Sequence, residues 1–136
     1  MPSVDIAGAR DGLRANLETV GGLYVYGYVP GQMQLPAAVV MPASEWVTRD
    51  QAMGRGLARL TWDVDVHVQL STILQAQIEL EELAGTVVDG LLSDRTLGGI
   101  SADLHVPTIS GFTQSTLSGG DALTITFSVV VYVKDK

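Results

Sequence analysis

Three residues of metal-binding types recur at two-residue spacing: Asp63, Asp65 and His67. They belong to a segment, 57–70, in which apolar and polar residues alternate without a break, so their side chains should project from one face of a β-strand. Carboxylate and imidazole groups on one face could bind a metal ion. Same-face neighbours along a strand lie about 6.6 Å apart, however, and diverge. The pattern therefore favours a solvated strand face, and we predict no metal and no other cofactor.

The sequence offers little for covalent or acid–base catalysis. His67 and His105 are the two histidines, cysteine is absent, and no serine lies in a G-x-S-x-G turn. The segment 54–56, Gly-Arg-Gly, lacks the spacing of phosphate-binding and dinucleotide-binding loops. We therefore predict no catalytic residue and no enzymatic activity.

The distribution of charge argues against nucleic-acid binding. The chain has 8 basic and 15 acidic residues, and its two lysines both lie in the last three positions. Binding to phosphate needs clustered lysine and arginine. Residues 57–128 hold two arginines against nine carboxylates and account for the entire net charge of −7.

Length and composition predict one folded domain, residues 1–136. Hydrophobic residues make up 46% of the chain and charged residues 17%, which excludes general disorder and provides a core. Cysteine is absent, the first residues do not resemble a signal peptide, and no apolar run approaches about 18 residues. We expect a soluble protein that folds in a cytoplasm and has no membrane partner.

Aromatic residues outside a regular core pattern are candidates for protein–protein contacts. Tyr24, Tyr26 and Tyr28 alternate with apolar residues in segment 23–29 and should share one strand face. Tyrosine is enriched at interfaces, although a half-exposed sheet face would also explain the three phenols. Segment 43–56 reads as a long loop containing Trp46, Val47 and Met53, which could pack on their own domain or anchor a neighbour.

Two helical regions are predicted. Segment 3–20 has apolar residues at helical spacing and ends at Gly21-Gly22. Segment 72–84 begins with Thr72 and Gln75 in a capping-box arrangement. Gly85 should break this helix before a second short one, 87–93, and one continuous helix is the alternative.

The remaining segments predict strands. Segment 37–41 is apolar throughout, and residues 37–47 should pair with 57–70 in a long antiparallel hairpin, whose tip, 43–56, extends past the sheet. Segment 102–106 is a strand interrupted at Pro107, and 108–117 could continue it at a sheet edge. The last strand, 123–133, follows a glycine turn, and the apolar residues Val130 and Tyr132 on its second face should be covered.

These elements predict an α+β fold. We expect a mixed or antiparallel sheet of about four to five strands, with two or three helices on one face and a long protruding hairpin. Surfaces that a monomer would expose poorly are then available for subunit contacts: the tyrosine face, the loop 43–56, and the end of the last strand at Val130 and Tyr132.

Seven segments are informative when they are taken together: LRANL at 13–17, YGYVP at 26–30, LPAAVV at 35–40, the alternating residues 60–68, the break at Gly85, LGG at 97–99, and the last strand, 123–133. In these segments and their layout, the chain resembles the tail terminator proteins of long, non-contractile-tailed (lambda-like) bacteriophages. The resemblance covers most of the chain but includes no catalytic motif.

The resemblance implies a structural virion protein at the head–tail junction, assembled in the host cytoplasm. Such proteins form a hexameric ring that caps the tail tube, stops its polymerisation, and joins the head connector. Partners would be further copies of the chain, the major tail tube protein and the connector. Genome DNA would pass through the ring without specific binding, and Asp63 and Asp65 are candidates for a lining that repels its phosphates.

Two other functions remain open on the sequence. One is a head-closure or neck ring protein of the same virion, which has a similar chain length to a tail terminator and also forms rings. The other is a monomeric ligand-binding or enzymatic α+β domain. Particle mass would separate a ring from a monomer, and binding to a tube end would separate the two kinds of ring.

Overall fold

The computed structural model describes residues 6–28, 34–48, 57–70, 72–99, 101–117 and 120–134. In chain order the elements are α1 (Ile6–Leu17), β1 (Tyr24–Tyr26), β2 (Ala37–Thr48), β3 (Leu57–Gln69), α2 (Ile73–Leu91), β4 (Ser101–Leu117) and β5 (Gly120–Lys134). The strands form one sheet in the order β1-β2-β3-β5-β4. β1 runs parallel to β2, and the other neighbours are antiparallel. The predicted α+β fold with a mixed sheet is confirmed.

Both helices contribute to one core on one face of the sheet, here called the helix face. The strict alternation of β3 places Leu60, Trp62, Val64, Val66 and Val68 there, all fully buried. Leu13 and Leu17 of α1 and the α2 residues Ala76, Leu80, Val87 and Leu91 complete this core. Burial of these apolar side chains is the main favourable term holding the domain together.

The opposite face of the sheet, here called the open face, carries the alternate residues of the two central strands. On β3 they are Arg59, Thr61, Asp63, Asp65 and His67, and on β5 their register partners are Tyr132, Val130, Ser128, Thr126 and Thr124. Among the described residues, no helix packs on this face. Ala37, Val39, His67 and Thr124 on this face are nevertheless buried, so the helices cover one side of the sheet and the open face is exposed only in part.

Helix α2 is continuous through Gly85, so the predicted break is wrong and the alternative of one helix is confirmed. Its apolar stripe continues past Gly85 to Val87 and Leu91, and packing of that stripe outweighs the modest helix penalty of one glycine. The predicted start is confirmed, because the Thr72 hydroxyl accepts a hydrogen bond from the Gln75 backbone N–H at 3.2 Å.

The two helices meet where α2 ends. The Asn16 side chain of α1 is buried and donates hydrogen bonds to the Leu91 carbonyl at 3.0 Å and the Asp94 carbonyl at 2.8 Å. At Gly90 a Cβ would lie 2.7 Å from the Val20 side chain and 3.3 Å from the Asn16 carbonyl, so glycine allows the close approach. These contacts fix the helix pair over the sheet.

The predicted hairpin of β2 and β3 is confirmed, but its loop begins later than residue 43. Residues 43–48 continue β2, with the register shifted between Pro42 and Val47. Proline is tolerated there because β1 pairs with only residues 37–39, which leaves the rest of β2 at an edge. Residues 49–56 lie outside the described part of the chain.

The predicted interruption at Pro107 is a shift in register rather than an end. β4 runs through it as one edge strand, and the irregularity falls between His105 and Thr108. An edge strand can bypass a missing N–H in this way. No helix within the described ranges is long and apolar enough to span a membrane.

Candidate interface on the open face

Two of the three predicted interface tyrosines lie on the open face. Tyr24 and Tyr26 pair in register with Ala37 and Val39, whose β3 partners are His67 and Asp65. Tyr24 is 48% exposed, and the Tyr26 hydroxyl accepts a hydrogen bond from the Gln34 backbone N–H at 3.1 Å. These two phenols therefore extend the polar surface of β3 towards the β1 edge.

The third tyrosine, Tyr28, does not share that face, so the prediction of three phenols together is wrong. β1 pairs with β2 for only three residues, and the chain bends after Tyr26, which ends the alternation. The Arg10 guanidinium lies 4.2 Å from the Tyr28 ring centroid and donates to its hydroxyl at 2.8 Å. Arg10 also lies 5.1 Å from the Trp62 ring centroid, which places Tyr28 beside the helix face.

The aromatic residue of the predicted loop packs on its own domain. Trp46 is partly buried against the core and meets Trp62 edge to face, with ring centroids 5.6 Å apart. Its neighbour Val47 pairs with Leu60 and is 40% exposed. Of the two possibilities for Trp46, packing within the subunit is the one observed. Met53 lies outside the described residues.

The acidic pair occupies the middle of the open face. The Asp65 carboxylate accepts a hydrogen bond from the Thr126 hydroxyl at 2.6 Å. Partial burial, and then the charge of Asp65, raise the pKa of Asp63 above its ordinary value of 3.8. The charged form of Asp63 is therefore less favourable at this site than in water.

His67, the third residue of the Asp63, Asp65 and His67 pattern, makes its contact within the sheet. It is buried, with 8% of its surface exposed, and its Nδ1 lies 2.6 Å from the Thr124 hydroxyl. Burial lowers its pKa below 6.5, and the Asp65 charge partly opposes that shift. Within the described ranges no three histidine, aspartate or glutamate side chains form a group that could hold a metal ion.

A pocket of about 470 Å³ opens at the end of this face, away from His67. His105 of β4 stacks on Tyr132 of β5, with ring centroids 5.5 Å apart. Arg59 of β3 is the register partner of Tyr132. The full lining is Ala43, Arg59, Thr61, His105, Pro107, Val130 and Tyr132. The lining exposes more polar than apolar surface, and its guanidinium and imidazole suit a ligand with a carboxylate.

The structure thus brings Val130 and Tyr132, predicted as an interface end, into one pocket with residues that the sequence did not single out. Arg59 was noticeable only as one of two arginines in an acidic half, and His105 only as one of two histidines. Their convergence depends on pairing of β4 with β5 and of β5 with β3.

No family model matches the chain. No curated protein matches its sequence significantly.

Proposed function

We propose that the protein is a structural subunit of a phage tail terminator ring. The observation that carries the proposal is a sheet covered by its own helices on one face only, with exposed apolar side chains at both sheet edges and on α2. These side chains are Tyr24 and Val47 near one edge, Ile109 and Phe112 at the other, and Ile73, Leu74 and Ile78 on the helix. Such surfaces suit a subunit that is completed by its neighbours.

The layout of elements supports the same proposal. A first helix, a short strand, a long hairpin, a second helix and a terminal strand pair follow one another as the resemblance to tail terminators implies. The described residues place Asp63 and Asp65 together on the open face. A channel lined by such carboxylates would repel DNA phosphates and let the genome pass without binding.

A tube-growth assay tests the proposal. Tail tube subunits from the same virion are polymerised with and without an excess of the protein, and tube lengths are measured by negative-stain microscopy. A terminator shortens the length distribution and leaves extra density at one tube end. Unchanged tube lengths, together with binding to the isolated head connector, would reassign the protein to the neck ring. Binding to neither would reject a place at the junction.

A further inference from the structure

We propose that the pocket receives helix α2 of a second copy of this chain. The guanidinium of Arg59 and the imidazole of His105 receive the Glu81 carboxylate, and Leu74 and Ile78 pack beside the apolar lining residues Ala43 and Pro107. This inference rests on the proposed ring and specifies one of its subunit contacts.

The pocket supplies a cation, Arg59, for which the described residues provide no ionic partner. The ion pairs between described residues are Arg14 with Glu18 and Arg95 with Asp103, and neither involves Arg59. Asp63, the nearest open-face carboxylate on the same strand, is four residues away, about 13 Å along β3. The partly buried Arg59 would form strong charge-assisted hydrogen bonds with a carboxylate brought to it by a neighbour.

Helix α2 presents the complementary stripe on its outer surface. Leu74, Ile78, Glu81 and Gly85 lie at helical spacing on one side, opposite the core residues of the helix. Leu74 is 67% and Ile78 42% exposed, and Glu81 is exposed with no ion pair to another described residue. A Cβ at Gly85 would meet no atom within 4 Å, so a neighbour can approach the helix closely there.

The position of the two patches determines the kind of assembly. The stripe lies on the outside of the helix layer, and the pocket lies on the open face, on the other side of the sheet. One chain cannot join its own two patches, and two copies cannot make both contacts with each other. Each copy must contact a different neighbour through each patch, which is a heterologous contact, and such contacts form a ring when the rotation between neighbours closes.

The same geometry leaves room for the acidic pair. Arg59 and Asp65 are six residues apart on β3, about 20 Å along the strand. A helix seated over the pocket would cover that end of the open face and leave the Asp65 end free. The docked helix and a carboxylate-lined channel are therefore compatible on one sheet.

A charge exchange tests the contact. Arg59→Glu and Glu81→Arg are prepared separately, and their assembly is followed by sedimentation velocity over a range of concentrations, beside the wild type. Each variant alone should raise the concentration needed for assembly by about thirtyfold or more, since each places like charges in the contact. An equimolar mixture should assemble again as alternating subunits, because every contact then pairs opposite charges.

Glu79→Arg is the matched control, because it makes the same charge change on the same helix about 160° away from Glu81. It should assemble like the wild type.

Recovery in the mixture shows that both variants are folded, and a thermal melt of each checks this separately. If wild type and both single variants assemble alike, or the mixture does not recover, the docking site is wrong and the ring stands. A wild-type chain that stays monomeric even when tail tube subunits are added would overturn both.

Discussion

Trp46 and Trp62 meet edge to face across the β2–β3 hairpin, with ring centroids 5.6 Å apart. The contact ties the irregular half of β2, beyond the register shift at Pro42, to the fully buried centre of β3. The residue that looked most like a protruding anchor is therefore part of the subunit's own packing.

Replacing Trp46 should accordingly reduce stability in the monomer. Trp46→Ala removes the aromatic contact and part of the core cover, and we expect a loss of about 2 kcal/mol in the free energy of unfolding. Urea unfolding followed by circular dichroism measures it. Tyr24→Ala, at an exposed site on the open face, should change stability by less than about 0.5 kcal/mol. Equal losses in the two variants would contradict the assignment of Trp46 to the core.

The two glycines of α2 should respond in opposite directions to alanine. Gly90→Ala places a methyl group 2.7 Å from the Val20 side chain and should cost about 1–3 kcal/mol. Gly85→Ala meets open space within the helix and should add about 0.5–1 kcal/mol. Thermal melts of the pair at matched concentration decide this. A stabilising Gly90→Ala would show that α1 and α2 do not approach so closely.

Burial of His67 predicts a loss of stability in mild acid. Its folded-state pKa lies below the unfolded-state value of 6.5. At pH values between the two, the unfolded chain binds more protons than the folded chain. The free energy of unfolding should therefore fall as pH decreases from about 6.5. His67→Gln removes this titration, and its stability should depend less on pH over the same window. Denaturant titrations between about pH 7.5 and 5 measure both proteins, and parallel curves would contradict the prediction.

The raised pKa of Asp63 predicts the opposite dependence of stability on pH. Its folded-state pKa is raised above 3.8. The contribution of Asp63 to the free energy of unfolding is therefore complete below pH 3.8 and is lost as pH rises through the folded-state pKa. Asp63→Asn should therefore stabilise the protein at pH 7 and have little effect at pH 3.

Asp94→Asn is a useful counterpart to that change. Hydrogen bonds from the Thr96 hydroxyl, and from the Gly98 and Thr96 backbone N–H groups, lower the pKa of Asp94. Its carboxylate thus stabilises the fold at neutral pH, and Asp94→Asn should destabilise the protein there. Thermal melts at the two pH values test the pair. If both variants shift the melting temperature in the same direction at pH 7, the electrostatic assignment of Asp63 is wrong.

The sequence predicted the elements whose signals are local. Alternation in 57–70 predicted β3, and the pairing of that segment with 37–47 followed from its length. The break at Gly85 was wrong because tertiary packing of Val87 and Leu91 overrides the helix penalty of one glycine. The end of β1 was missed because β1 pairs with β2 for only three residues before the chain bends, and Tyr28 then contacts Arg10, which is 18 residues away.

The pocket could not be predicted in the same way. Its lining comes from four strands, and Arg59, His105 and Tyr132 meet only through the register of β3, β5 and β4. The periodicity of one strand assigns each side chain to a face. It does not determine which residues of other strands lie beside it, since register depends on bulges such as the one between His105 and Thr108.

The mass of the purified particle is the most direct test of the proposed ring. Light scattering coupled to size exclusion, with negative-stain images of the same fraction, should give about six times the chain mass of 14.4 kDa and a particle with a central hole. A compact monomer at every concentration, with no ring formed when tail tube subunits are added, would contradict the proposal that this chain completes itself with its own copies.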